Sequence, residues 1–198
     1  MAIQHYTCEA PFLLECGETL HGLEIAYHTY GSMNAESSNI IWICHALTAN
    51  SDAADWWKGF LGAGYLINPD EYFIVCANII GSCYGSTGPL SSNVASHQPY
   101  YSHFPLVTIR DMVAAHMMLR KHLGIESIQL LMGGSMGGYQ ALEWAVMEPS
   151  VIKKLFLIAT SPSESAWGVA VHTAQRLAIE ADSTWRHHIT DAGAAGLK

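Results

Sequence analysis

The chain has 198 residues, half of them apolar, and 17 acidic against nine basic side chains give a formal net charge of −8. That length suits one domain with a sizeable core, and so few scattered Lys and Arg exclude the clustered basic surface that nucleic-acid phosphates demand. No apolar run approaches the roughly 20 residues that cross a bilayer, and the start MAIQHYTCEAPF lacks a basic region followed by an apolar one, so a cytoplasmic protein without a membrane partner is expected.

In chain order, strands are expected near 23–29, 40–44 and 72–78. The last two are continuous apolar runs, as in a sheet covered on both faces. Cys44 and Cys76 fall inside such runs. The five cysteines are an odd set without a C-x-x-C pair, so free reduced thiols are expected. A helix should follow, capped by Thr108 with Asp111 answering as a capping box. Ile109, Met112, Val113, His116, Leu119 and Leu123 recur at helical spacing before Gly124 ends it. A buried run at 128–132, a helix over 137–147 that stops before Pro149, and a strand at 155–160 complete an alternation of strand and helix. Alternation of this kind implies an α/β protein with a mostly parallel sheet and helices on its faces.

Between the run at 128–132 and the helix after it stands Gly133-Gly134-Ser135-Met136-Gly137, a G-x-S-x-G pattern at the carboxyl end of a strand. Ligands bind at such ends in α/β sheets. A tight strand-to-helix turn pushes the serine outward and needs small residues two before and two after it. The turn aims the Met136 amide and the positive end of the helix at whatever sits above Ser135. Ser135 is therefore the candidate nucleophile, the rival reading being a glycine-rich phosphate or packing turn. A second oxyanion donor is expected from the loop after the strand at 40–44, CHALTAN, and the Leu47 amide is the choice there. His45 and Thr48 of that loop could equally serve buried backbone groups.

These two stretches, with DEYFIVCANIIGSCYGSTGP (70–89) and FPLVTIRDMV (104–113), resemble the homoserine O-acyltransferase branch of the α/β-hydrolase fold, the enzymes similar to homoserine O-acetyltransferase. The likeness runs from about Tyr27 to Ser161. It implies transfer of an acetyl or succinyl group from CoA to the hydroxyl of L-homoserine, in methionine biosynthesis, through an acylated Ser135. Acyl-CoA is then a co-substrate and no cofactor is bound. Leu47 and Met136 would form the oxyanion hole, Thr48, Tyr84 and Gly85 would contact substrate, and a homodimer would form through lid helices; Arg176, on the helical stretch that follows, could face a substrate carboxylate from the lid or stand as a solvated helix residue. Ala49-Asn50 and Ser82 stand where members of the branch usually carry glycine, which leaves acyl group and acceptor open. In this fold the triad runs Ser, then Asp or Glu, then His. After Ser161 only a helical stretch, 164–181, and a polar tail follow. Residues 1–162 are thus expected to be the N-terminal part of the core and 163–198 the start of a lid, with the acid and the histidine beyond Lys198. None of the internal histidines is expected to replace that base.

Other constellations carry less. The eleven histidines include no H-E-x-x-H and no Cys/His set at zinc spacing, so no metal is expected. Cys83 reads as a loop thiol. Trp56 and Trp57 could line an acyl channel or anchor a loop. Arg110 reads as a first-turn surface residue, and Met117-Met118 as core packing. Within enzymes the rival is a carboxylesterase or a serine O-acyltransferase. From another class, a catalytically incomplete binding module remains.

Overall fold

In the computed structural model, which describes residues 2–185, a six-stranded sheet carries the chain. The strands are β1 (Gln4–Cys8), β4 (Leu23–Tyr30), β5 (Ile40–Cys44), β6 (Phe73–Ala77), β7 (Leu130–Gly134) and β8 (Leu155–Ile158), in the order β1-β4-β6-β5-β7-β8. Pairings β6–β5, β5–β7 and β7–β8 are parallel, whereas β4 pairs antiparallel with both β1 and β6, so β4 alone runs against the rest. A small hairpin of β2 (Phe12–Leu13) and β3 (Thr19–Leu20) precedes β4. The mostly parallel α/β sheet agrees with the expectation. β1 and the hairpin escaped it because QHYTC and their two-residue strands carry no sustained apolar alternation.

β5 shows why the sheet needs cover on both sides. All five of its residues are buried, and successive side chains point to opposite faces. Ile40, Trp42 and Cys44 join one core cluster with Val113, Leu119, Ala141 and Trp144. These last come from α2 (Ile109–His122) and α3 (Met136–Met147). Ile41 and Ile43 join the opposite cluster, where Ala53 of the short α1 (Ala53–Trp56) and Leu61 and Ile67 of the following loop cover them. Trp42 and Trp144 meet edge-on at 4.9 Å between ring centroids, a favoured geometry for an aromatic pair.

The capping box of α2 is present: Thr108 Oγ1 accepts from Asp111 N, and Asp111 Oδ2 accepts from Thr108 N. A buried clamp fixes α2 against α3. The Arg120 guanidinium donates to Glu148 Oε1 at 3.0 Å and to the Ile125 carbonyl, while Trp144 Nε1 donates to Glu148 Oε2 at 3.0 Å. Arg110 is half exposed and pairs with Glu143 and Glu15, the surface role expected of it. After β8 comes α4 (Ala166–Glu180), whose N-cap Ser165 accepts from Gly168 N and which buries none of its residues. The tail at 186–198, including His187 and His188, lies outside the described residues.

Candidate active site

β7 delivers its last residue, Gly134, directly into Ser135, and α3 begins at Met136. Ser135 has φ 53° and ψ −123°, a conformation that side-chain-bearing residues rarely adopt, and it is exposed. Such strain persists only where the surroundings enforce it. Here Ser135 N donates to Ile158 O of β8 at 3.1 Å, and Ser135 O accepts from Gly138 N at 2.9 Å. The flanking glycines are sterically required. A methyl group on Gly133 would run into the Gly137 carbonyl, and one on Gly137 would run into the carbonyl of Cys44. The second contact has a functional consequence: it lets the end of β5, and the loop after it, press against the start of α3.

That loop is built from a dense polar network. Ala49 N donates to Ala46 O at 3.0 Å, closing a turn in which, among the described residues, the Leu47 amide donates no backbone hydrogen bond. His45, fully buried, has Nδ1 against Ala46 O at 2.8 Å while its Nε2 accepts from Ile79 N at 3.3 Å. The second bond requires an unprotonated Nε2, so the ring is neutral with its proton on Nδ1. Burial pushes its pKa down in the same sense. Gln140 Nε2 of α3 donates to His45 O, tying loop to helix. Asn78 accepts from Ser51 N at 2.7 Å and donates to Ser51 Oγ and to Tyr84 O, tying the same loop to the glycine-rich segment. Met136, the first helical residue, has an amide with no acceptor inside the helix.

Above Ser135 opens a cavity of about 860 Å³, and its wall includes Leu47, Ser135, Met136, Tyr139, Glu164, His172 and Arg176. The strained serine, the two amide-bearing residues and α4 therefore share one space. A matching family model, described as alpha/beta hydrolase fold, covers residues 39–186. The chain belongs to the alpha/beta hydrolase fold family. The homoserine O-acetyltransferase of Nostoc punctiforme is 47% identical over 183 residues, which are 92% of this chain and 51% of that protein. A solved homoserine O-acetyltransferase from Bacillus anthracis superposes with a TM-score of 0.92 at 29% identity, over 99% of this chain and 57% of that one. The solved acetyl esterase MekB gives 0.87 at 28%, over 99% and 56%. The chain thus spans about half the length of the curated relatives it matches.

Against this α/β-hydrolase frame the remaining residues can be placed. Leu47, Ser135, Met136 and Arg176 come together on the cavity; Thr48, Tyr84 and Gly85 are not among its lining residues. Gly85, at φ +96°, packs against Ala26 of β4, and Tyr84 contributes its carbonyl to Asn78. Trp56 donates its indole N–H to Asn50 O at 2.8 Å and stacks on Trp57 at 5.0 Å, so the pair anchors the loop rather than lining the cavity. Cys83 is an exposed loop thiol, and all five cysteines are free. Sequence reasoning missed Glu164 and His172, whose Oε1 and Nδ1 atoms meet on the cavity wall. The signal was available: Glu164, Gly168, His172 and Arg176 recur every four residues, the spacing of one helix face. His116 was expected in the helix but not as it is found, fully buried between Trp42 and Trp144 with neither ring nitrogen hydrogen-bonded.

Proposed function

We propose that this chain is the nucleophile-bearing part of a homoserine O-acetyltransferase, and that the complete enzyme moves an acetyl group from CoA to the hydroxyl of L-homoserine. The observation that carries the reading is the strained, exposed Ser135 standing beside two amide-bearing residues under a cavity of about 860 Å³. Ser135 Oγ attacks the thioester carbonyl, the C–S bond breaks, and CoA leaves as the thiol after taking the serine proton through a base. The homoserine hydroxyl then attacks the acyl-serine, loses its proton to the same base, and restores Ser135. The amides of Leu47 and Met136 hold the oxyanion in both halves; each such donor is typically worth about 3 kcal/mol.

We place that base, a histidine, and its carboxylate in the half of the relatives' length that this chain does not span. The segment from 163 onward is the start of a lid over the cavity, and a cytoplasmic homodimer joined through that lid is the assembly this reading favours. A supporting observation is the identity to named homoserine O-acetyltransferases. The similarity to an acetyl esterase favours a second reading, in which water replaces homoserine. Incubation of the intact gene product with acetyl-CoA, with and without L-homoserine, separates the two. The transferase reading expects O-acetylhomoserine to exceed free acetate; acetate alone, at a rate indifferent to homoserine, sinks it in favour of the esterase.

A further inference from the structure

The loop that carries Leu47 starts at His45 and ends at Ser51, and one dipeptide, Asn78-Ile79, grips it at both ends. That dipeptide follows β6 directly. At the first end Ile79 N donates to His45 Nε2 at 3.3 Å. At the second, Asn78 Oδ1 accepts from Ser51 N at 2.7 Å, and Asn78 Nδ2 donates to Ser51 Oγ at 2.8 Å. Nδ2 also donates to Tyr84 O at 2.7 Å. The Asn78 backbone is fixed as well: its N–H donates to Ala26 O of β4 at 2.8 Å, and its carbonyl accepts from Ser86 Oγ at 2.6 Å. The carboxamide therefore has one orientation, since turning it over would set Nδ2 against the Ser51 N–H and Oδ1 against the Tyr84 carbonyl.

Burial follows the same division. His45 and Ser51 are buried, whereas none of residues 46–50 is, and the Leu47 side chain is 68% exposed. Packing thus does little to place the middle of the loop, and its ends set where the Leu47 amide stands. An oxyanion donor is effective only when it is already in place as charge develops. Resting on the reading of Ser135 as nucleophile, we propose that Asn78 is a positioning residue for the oxyanion hole. Its carboxamide, with the Ile79 amide beside it, holds the loop so that the Leu47 N–H faces the space above Ser135. Asn78 itself touches no reacting atom. Its bond to Tyr84 O makes the glycine-rich segment share the same anchor.

The test follows acetylation of Ser135 in the intact gene product by acid-quenched mass spectrometry over a range of acetyl-CoA concentrations. Asn78→Ala should slow acylation at saturating acetyl-CoA by about 100-fold, the scale of one misplaced oxyanion donor. The half-saturating concentration should move by less than about threefold, because the clamp acts on the transition state and not on CoA binding. Ser51→Ala removes one of the two bonds at that end and leaves Ser51 N on Asn78 Oδ1, so it should slow acylation by about tenfold; this milder variant carries the test where Asn78→Ala does not fold. Glu148→Ala, at the far end of α3, is the control: it weakens the fold and should keep the wild-type rate. Urea unfolding checks that every variant is folded under assay conditions. Wild-type rates in both clamp variants, an equal fall in Glu148→Ala, or a loss confined to the half-saturating concentration overturns the proposal. Wild-type protein that gains no acetyl group on Ser135 refutes the nucleophile reading instead, and the proposal falls with it.

Discussion

At the residue scale, two positions hold strain or desolvation that ordinary packing would remove. Ser135, at φ 53°, stores backbone energy for the sake of its exposed hydroxyl. Glycine is at ease there, so Ser135→Gly should raise unfolding stability by roughly 1 kcal/mol while abolishing acylation; urea denaturation reads the gain, and a loss of stability instead would mean that the turn is not strained. His116 is the other. Burial, followed by the nearby His45, pushes its pKa down to about 3, so the folded state refuses a proton that the unfolded chain accepts near pH 6.5. Its contribution is therefore full above pH 6.5 and declines as the pH falls toward 3, at up to about 1.4 kcal/mol per pH unit. His116→Phe removes two unsatisfied ring nitrogens and should stabilise the protein at pH 7 by about 1 kcal/mol. It should also flatten the acid limb between pH 6.5 and 4 in a denaturation series. An unchanged limb would show that another group, such as the neutral His45, governs it.

At the element scale, what could be read from residue order and what could not divide along physical lines. β5, β6, α2 and the elbow were legible because long apolar runs, a capping box and G-x-S-x-G each have one favoured solution. β7 starts later than its apolar run suggests, at Leu130, because Ile128 spends its backbone on a bridge to Ile152. The Glu164–His172 contact beside α4 stayed hidden because a Glu–His pair eight residues apart is invisible until Gly168 shows the space between them. The α2–α3 clamp was equally hidden, since Arg120 and Glu148 are 28 residues apart in sequence. Removing one partner of this pair leaves a charge buried alone. Glu148→Ala should cost about 3 kcal/mol by denaturant unfolding, whereas the exposed Arg110→Ala should cost less than about 1 kcal/mol. Equal costs would contradict the distinction drawn between the two ion pairs.

At the scale of the whole molecule, the sheet does one thing for chemistry: it brings the carboxyl ends of β5 and β7 together so that loop and elbow meet. Gly137 marks the meeting point, since any side chain there would drive the Cys44 carbonyl, and with it the Leu47 turn, away from Ser135. The β8 edge leaves Leu155, Phe156 and Ile158 partly exposed among the described residues, in a chain that spans about half the length of its relatives. The proposed chemistry passes entirely through acylation of Ser135. The most direct measurement is acid-quenched mass spectrometry of the intact gene product after brief exposure to acetyl-CoA, with the modified peptide mapped. A single acetyl group on Ser135, absent from Ser135→Ala and discharged by L-homoserine, is the predicted result. Acetylation at another residue, or none on a folded protein, would contradict it.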